Sequence, residues 1–202
     1  MNSLLERDAA LALLLEEVPS SGWTMRALRK ALVRAGANPL DAEILFPGGA
    51  VEMVEAFSDR ATAAMEAGAD ALDLPSLRTT ARVRALVGLR LRLLGPHKAA
   101  VRRALAVLAL PGRSLIAARS VARTVDAIWH LAGDTSADFN WYTKRALLAG
   151  AYTATLLFWL SDSSEDDAPT LAFLDRRLAD VGRIGKLRGR IESAFSRFRP
   201  AA

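Results

Sequence analysis

Apolar residues recur every three or four positions along nearly the whole chain, which is the spacing that places them on one face of an α-helix. No window shows the strict alternation of apolar and polar residues that is typical of a strand. Glycine and proline interrupt the helical pattern at intervals, where one helix is expected to end and the next to begin. The sequence therefore predicts an all-α protein of about nine or ten helices.

Capping signals place the first helix boundaries. A helix over Leu4–Glu17 is expected to end before Pro19, because a residue that precedes proline disfavours helical geometry. Thr24 can cap a second helix that runs to about Ala35, with Gly36 as its stop.

The same reasoning continues along the chain. Thr135 and Asp138 have the spacing of a capping box for the long helix that reaches Leu160. The remaining helices are expected from Pro39 to before Pro47, from Gly49 towards Ala67, from Ser76 to Leu94, from Gly95-Pro96 to Pro111, from Arg113 to Ala132, from Thr170 to Val181 and from Lys186 to Phe198. This divides the chain into a head (residues 1–67), a body (residues 76–183) and a terminal helix (residues 186–199).

Charge adds a basic end to this helical chain. The 202 residues carry a formal net charge of +5, and from Gly182 onward six basic residues accompany a single acid, so the rest of the chain is neutral. On a helix the apolar side chains of this segment share one arc and the basic ones lie outside it, which favours contact with a membrane surface. Packing on the body or on a neighbouring chain is the alternative. The residues assigned to membrane contact are Lys186, Leu187, Arg188, Arg190, Ile191, Phe195 and Phe198.

Neither a membrane-spanning segment nor an export signal is expected. The longest stretch without a charged residue, Ala146–Ser161, is shorter than the roughly 20 residues that cross a bilayer. The early apolar run Ala9–Leu15 lacks the basic leader and cleavage site of a signal peptide. The chain has no cysteine, which removes disulfides and thiolate chemistry.

Histidine chemistry is restricted to His97 and His130. Asp126 lies four residues before His130, so a local salt link between the two is expected on one helical face. An enzyme or metal site built on this pair is the alternative, which bound metal in the purified protein would favour. Because nucleotide-binding loops and nucleophile elbows are also missing from the sequence, we expect a protein without catalytic or metal-binding residues.

The segment Gly22–Gly36, followed by Leu45–Gly49, resembles the N-terminal helix-turn-helix of TetR-type repressors. DNA binding requires cations against the phosphates, yet residues 38–59 contain no Lys or Arg. The same stretch holds the acids Asp41, Glu43, Glu52, Glu55 and Asp59. The resemblance therefore predicts the fold, and a ligand-responsive transcription regulator is kept as the alternative function.

The most individual part of the chain is the run from Gly133 to Thr155, which includes the adjacent aromatic residues Trp141 and Tyr142. Neighbouring residues on a helix point about 100° apart, so both side chains cannot face one core. At least one is expected at the surface or in the pocket of a partner, since Trp and Tyr often anchor interfaces. Capping of the bundle end by both rings is the alternative.

This run, together with the TetR-like head and the segment 171–177, resembles the family of coenzyme Q biosynthesis protein nine, an accessory family of ubiquinone biosynthesis. The core of the resemblance is Asp-Phe-Asn-Trp-Tyr-Thr-Lys-Arg at residues 138–145. The resemblance implies a repressor-like fold that has lost DNA binding and is often dimeric. It also implies a body that holds an isoprenoid lipid, and a protein that presents quinone precursors to a di-iron hydroxylase.

Carried over onto this chain, Trp141 and Tyr142 belong to the surface that meets the hydroxylase, and Asp134 and Arg145 lie beside them. The expected partners are this hydroxylase, an isoprenoid lipid, an anionic membrane surface and a second copy of the chain, with no nucleic acid and no cofactor other than the bound lipid. The expected location is the cytoplasm, peripheral to a membrane, or the matrix side of the inner mitochondrial membrane in a eukaryote. The lipid pocket stays unassigned, because cavity-lining and core-filling leucines look identical in a sequence.

Overall fold

Nine α-helices make up the part of the chain that the structure, a computed structural model, describes: residues 3–134 and 139–180. The predicted all-α fold is confirmed for these residues. The capping box at Thr135 and Asp138 and the basic helix from Lys186 onward lie outside the described residues. The helices are α1 (Ser3–Ser21), α2 (Met25–Arg34), α3 (Asp41–Leu45), α4 (Gly49–Gly68), α5 (Thr79–Leu94), α6 (Lys98–Leu108), α7 (Ser114–Leu131), α8 (Phe139–Ser161) and α9 (residues 168–180).

Helix α2 begins and ends at the predicted capping residues. The Thr24 hydroxyl accepts a hydrogen bond from the backbone N–H of Ala27 at 3.1 Å, which satisfies one of the free donors of the first turn. Gly36 adopts a φ of +75°, a conformation that costs glycine little and that ends the helix. Local sequence therefore determines this element.

The predicted end of α1 is wrong, because the helix continues through Pro19 to Ser21. The residue before this proline, Val18, is fully buried, and the Pro19 carbonyl accepts a hydrogen bond from Arg103 of α6 at 2.8 Å. Burial and this tertiary bond outweigh the local preference against helical geometry before proline. Gly22 follows the last helical residue, and its φ of +70° stops the helix.

The predicted start of α5 at Ser76 is also wrong, because the helix begins at Thr79. Ser76 closes a short 3₁₀ turn over Leu74–Ser76, where its hydroxyl donates to the Asp73 carbonyl at 2.8 Å. Arg78 is then extended, with a ψ of 152°. Ser76 caps a turn in place of the helix, a competing role that serine fills readily.

Trp23 joins the N-terminal helices to the rest of the core. Its indole N–H donates to the Ala100 carbonyl of α6 at 3.0 Å, and its ring lies 5.2 Å from that of Phe57 on α4. Both rings are buried, and they belong to a single hydrophobic cluster whose residues come from all parts of the described chain, from Ala10 to Leu178. The head and the body predicted from the sequence therefore share one hydrophobic core.

Ion pairs fasten α2 onto α1. Glu17 is 4% exposed and accepts hydrogen bonds from Lys30 at 2.7 Å and from Arg34 at 2.6 Å. The Lys30 hydrogen bond holds the pKa of Glu17 below its ordinary value, and the positive charges of Lys30 and Arg34 add to this effect against the opposing influence of burial. A buried carboxylate is thus compensated by two cations.

Helix α9 closes the bundle over α5 and the end of α8. Asp175 pairs with Arg84 of α5 at 2.6 Å, and the Phe173 ring stacks on Phe158 of α8 at 4.6 Å. The loop between α8 and α9 is held by Asp162, which accepts hydrogen bonds from the Ser164 N–H at 3.0 Å and the Thr170 hydroxyl at 2.8 Å.

In residues 3–134 and 139–180, the helices are all too short or too polar to traverse a bilayer.

The environment of His97 gives the stability of the fold a pH dependence near neutrality. Burial lowers the pKa of this half-buried side chain, and the charge of Arg60 lowers it further. As the pH falls below the ordinary histidine value of about 6.5, the unfolded chain therefore binds a proton before the folded chain does. We predict that the thermal midpoint falls between about pH 7.5 and about pH 5.5, and that His97→Gln removes the contribution of this histidine to the fall.

His130 is the matched control, because it is exposed at the end of α7. His130→Gln is measured under the same conditions, so that the effect of losing any histidine is separated from the effect of losing the half-buried one. Carboxyl groups ordinarily titrate near pH 4 and contribute little in this window. Equal slopes for wild type and His97→Gln, measured by circular dichroism, would contradict the prediction.

Candidate functional site

A cavity of about 560 Å³ lies among helices α4 to α8. This volume is within the range of roughly 300–1,000 Å³ that is usual for small-molecule sites. Most of its wall is aliphatic or aromatic, and five of its side chains are alanines on α6, α7 and α8 or directly after α6. Residues of the apolar wall include Val54, Phe57, Leu94, Val101, Leu105 and Leu156. The cavity is suited to an apolar ligand.

One part of the cavity wall is polar and centres on Arg90 of α5, which is 2% exposed. Its Nε donates to the Tyr152 hydroxyl of α8 at 2.9 Å, and its Nη1 donates to the Thr62 hydroxyl of α4 at 2.9 Å. The Ser58 hydroxyl, also on α4, lies 3.0 Å from that of Ser120 on α7. The polar group therefore joins four of the five helices that line the cavity.

The cavity reaches the surface beside α8 and the turn between α6 and α7. Leu157 lines the cavity and is 54% exposed. Two further lining residues, Ala109 and Ala118, are exposed and lie on either side of that turn. Leu110, which follows Ala109, and Leu115, three residues before Ala118, are large apolar side chains that are also exposed. The mouth of the cavity thus has an apolar rim.

Trp141 and Tyr142 form an aromatic patch on the first turn of α8. Their rings meet edge to face with centroids 4.7 Å apart. Trp141 is half-buried, whereas Tyr142 is 69% exposed. The expectation that at least one of the two rings lies at the surface is confirmed.

Arg145 and Asp134 hold the Trp141 side chain of this patch in place. The Arg145 guanidinium lies 3.8 Å from the Trp141 ring centroid, a cation–π distance. It is also paired with Asp126 of α7 and lies 3.5 Å from Asp134, whose side chain is only 6% exposed. Lys144 pairs with Asp134 as well, at 2.8 Å. The structure therefore brings the four predicted residues together, with Asp134 and Arg145 fixing the position of Trp141.

The expected salt link between Asp126 and His130 is wrong. Asp126 pairs with Arg145, and His130 is exposed. A guanidinium that is itself fixed by Trp141 and Asp134 offers the carboxylate a permanent charge, which a solvated imidazole does not.

Within residues 3–134 and 139–180, no three His, Cys, Asp or Glu side chains come together as a metal site. The predicted membrane-contact residues Lys186, Leu187, Arg188, Arg190, Ile191, Phe195 and Phe198 lie outside the described residues.

Sequence reasoning did not assign a role to Arg90, although a signal was present. The buried positions of α5 include Val83, Leu86, Val87, Leu91 and Leu94. Arg90 falls on this stripe by helical spacing, four residues after Leu86 and four before Leu94. A charged residue in the apolar stripe of a helix marks a buried polar site.

Comparison with known proteins identifies relatives of the chain. Residues 116–185 match the family model COQ9. The probable ubiquinone biosynthesis protein coq9, mitochondrial, of Dictyostelium discoideum is 35% identical over 184 residues, which are 88% of this chain and 60% of that protein. The ubiquinone biosynthesis protein COQ9, mitochondrial, of Homo sapiens is 34% identical over 185 residues, which are 89% of this chain and 58% of that protein. The chain thus spans about 60% of the length of the first of these relatives.

A solved structure shows the same fold. The TetR transcriptional regulator from Nitrosomonas europaea superposes with a TM-score of 0.71 and 22% identity, over 88% of this chain and 98% of that one. At this identity the likeness concerns the fold alone. Both resemblances predicted from the sequence, to the COQ9 family and to the TetR fold, are confirmed.

Proposed function

The chain is related to the COQ9 family over almost its whole length, and from this relationship we propose that it is a lipid-binding accessory protein of ubiquinone biosynthesis. It holds an isoprenoid quinone precursor in its helical body and presents this precursor to the di-iron hydroxylase of the pathway. The protein itself makes and breaks no bond. The observation that carries the proposal is the apolar cavity of about 560 Å³ among α4 to α8.

The cavity supports this function through its composition and its mouth. An isoprenoid chain has no hydrogen-bonding groups, so an aliphatic wall is its best environment. Leu157 lines the cavity and is exposed, and Leu110 and Leu115 near the turn between α6 and α7 are exposed as well, so an isoprenoid chain that leaves the cavity there meets apolar side chains. A membrane surface against this rim would let the ligand leave the bilayer without passing through water.

The aromatic patch is the proposed contact with the hydroxylase. A Tyr side chain that is 69% exposed, braced by a ring that Arg145 holds in place, is preorganised for an interface. The patch and the cavity share α8, and Tyr142 and Ala149 are separated by seven residues, or about 10 Å along the helix. The hydroxylase would therefore dock close to the bound precursor.

Transcription control, the alternative function, is disfavoured by the charges of the helix-turn-helix segment. Glu43 of α3 is paired with Arg29 of α2, Glu52 of α4 with Arg7 at 2.6 Å, and Asp59 of α4 with Arg123 at 3.0 Å. Two of these cations, Arg29 and Arg7, belong to the head and are bound to its own acids, and residues 38–59 supply no Lys or Arg of their own. DNA affinity comes mainly from Lys and Arg side chains that neutralise phosphates, and this segment offers few of them.

Location and assembly belong to the same proposal. The relatives are named as mitochondrial proteins, and we place this chain at a membrane surface as a peripheral protein, with the basic segment from Lys186 onward in contact with anionic lipid. We also propose that the protein is a homodimer. Static light scattering tests this by measuring the molar mass in solution.

Filling the cavity is predicted to remove the ligand. Ala117 of α7 is half-buried and lines the cavity, so Ala117→Phe places a ring where the isoprenoid chain would lie. Mass spectrometry of lipids extracted from the purified protein should find a prenylated aromatic compound with wild type, and at least about tenfold less with the variant, which corresponds to about 1.4 kcal/mol. Ala122→Phe is the matched control on the exposed side of α7, and it should retain the lipid. Wild-type protein that carries no isoprenoid would overturn the proposed function.

Removing the aromatic patch is predicted to weaken binding to the hydroxylase. Replacing Trp141 and Tyr142 together by Ala should raise the Kd by about 30-fold, because truncating central aromatic anchors costs about 2 kcal/mol or more. Surface plasmon resonance with the di-iron hydroxylase of the same organism measures the change. Ile44→Ala serves as control, since Ile44 is 77% exposed on α3 and remote in sequence from the patch. Undiminished binding by a folded double variant would rule out the assigned surface.

Removing residues 186–202 is predicted to weaken membrane binding. Each basic side chain near an anionic surface adds about 1 kcal/mol, so co-sedimentation with vesicles of phosphatidylcholine and phosphatidylglycerol should fall at least about tenfold. A chain that lacks only Pro200, Ala201 and Ala202 keeps the basic residues and should bind as wild type does. Equal sedimentation of both truncated chains would exclude this role of the basic segment.

A further inference from the structure

Positive charge is concentrated in one continuous stretch in the middle of the chain. Residues 74–125 contain eleven Lys and Arg and no Asp or Glu. Residues 1–181 are neutral as a whole, so the balancing acids lie before residue 74 and after residue 125. Helices α5 and α6 and the first twelve residues of α7 therefore supply positive charge to the surface and no negative charge of their own.

Two of these cations, Arg113 and Arg119, lie where α6 gives way to α7. Among the described residues neither of them is paired with a carboxylate, whereas Arg123, one turn further along α7, is paired with Asp59 at 3.0 Å. Arg113 donates from Nη1 to the Val107 carbonyl at 3.0 Å, a neutral acceptor, and Arg119 is exposed. Both side chains thus keep a charge that this part of the protein does not neutralise.

The connection between α6 and α7 is a tight turn. The Arg113 N–H donates to the Leu110 carbonyl at 3.2 Å, and Gly112 between them has a φ of +81°. Proline at the second position and glycine with positive φ at the third are typical of a type II turn, which brings its first and fourth residues within about 7 Å. Leu110 and Arg113 are therefore neighbours at this end of the bundle.

Apolar side chains are exposed beside these cations. Leu110 is 50% exposed and Leu115 is 60% exposed. Leu115 and Arg119 are four residues apart on α7 and both exposed, so they share one face of the helix. Residues 110–119, here termed the basic tip, thus present leucine and arginine side chains together.

The basic tip adjoins the mouth of the apolar cavity. Ala109 and Ala118 line the cavity and are exposed, one directly before the tip and one within it. Leu157 of α8 also lines the cavity and is exposed. A partner that covers the tip would therefore lie at the cavity mouth as well.

An anionic bilayer is the partner that fits both parts of this surface. Its phosphates attract Lys and Arg, and the acyl chains beneath them accept exposed leucine side chains. A nucleic acid offers phosphates but no hydrocarbon for Leu110 and Leu115. An uncharged apolar surface would accept the leucines but would leave the charges of Arg113 and Arg119 without a counterion.

We propose that the basic tip is a membrane-docking surface, in which Leu110 and Leu115 enter the headgroup region of an anionic bilayer while Arg113 and Arg119 pair with lipid phosphates. The cavity mouth then opens towards the acyl chains. This inference rests on the peripheral membrane location in the proposed function. It adds a contact within the helical body that is separate from the basic segment from Lys186 onward.

A fluorescent label at the tip tests the contact on the full-length protein. Because the chain has no cysteine, Leu115→Cys creates a single site for the dye NBD. With vesicles of phosphatidylcholine and phosphatidylglycerol, NBD emission is expected to rise at least about twofold and to shift to shorter wavelength, because the dye leaves water. Ile44→Cys is the matched control, since Ile44 is 77% exposed in the acidic stretch 38–59 and its label should show no change.

The outcomes separate this inference from the proposed function. Unchanged emission at position 115, while the labelled protein co-sediments with the vesicles, overturns the tip as a docking surface and leaves the membrane location intact. Absence of co-sedimentation for wild type overturns the tip and the membrane location together. The extraction of lipid from the purified protein tests the role of the cavity independently of both.

Charge reversal tests the part played by the cations. Arg119→Glu is expected to lower the affinity for the anionic vesicles about tenfold, because an attraction is replaced by a repulsion. Arg26→Glu is the matched control: it changes the net charge equally on an exposed position of α2 and should stay within about threefold of wild type. Equal losses in the two variants overturn a local contact at the tip. Weaker binding of Arg119→Glu to transfer RNA, with vesicle binding unchanged, overturns the proposal in favour of a nucleic-acid contact.

Discussion

Five helices surround a space that their own side chains do not fill, and the rest of the structure has to maintain that arrangement. Protein interiors are ordinarily close-packed, because every unfilled volume forfeits dispersion contacts. Five of the side chains that line the cavity are alanines, which are too small to fill it: Ala104, Ala109, Ala117, Ala118 and Ala149. The helices are held around it by the continuous core beneath, where Trp23 bonds to the Ala100 carbonyl and packs on Phe57.

Local signals predicted the fold well where a residue acts on its own backbone. Thr24 and Gly36 bound α2 as expected, because a cap and a left-handed stop need no distant partner. Pro19 and Ser76 were misjudged for the opposite reason. The buried Val18, the Arg103 hydrogen bond and the competing turn at Asp73 are tertiary or non-helical interactions that periodicity does not report.

Some parts of the candidate site could likewise be predicted from the sequence, and others could not. Trp141, Tyr142, Asp134 and Arg145 could be predicted because they lie in a distinctive run, and the structure brings them together. The cavity could not, since its leucines and alanines share the periodicity of core residues. The partner of Asp126 was missed because it comes from a different helix, 19 positions away at Arg145, whereas sequence spacing favours the neighbour at i+4. Arg90 was detectable as a charge in an apolar stripe, but its hydrogen bonds are to residues of two other helices, α4 and α8.

The composition of the cavity wall has a consequence for selectivity. Aliphatic side chains interact with any hydrocarbon through the same non-directional forces, so the wall cannot distinguish one isoprene unit from the next. For the proposed isoprenoid ligand, chain length would then change only how far the tail extends past Leu157 into the surroundings. Chemical identity has to be read where directional donors exist, and a site of this design would therefore accept tails of many lengths while sorting its ligands by their polar ends.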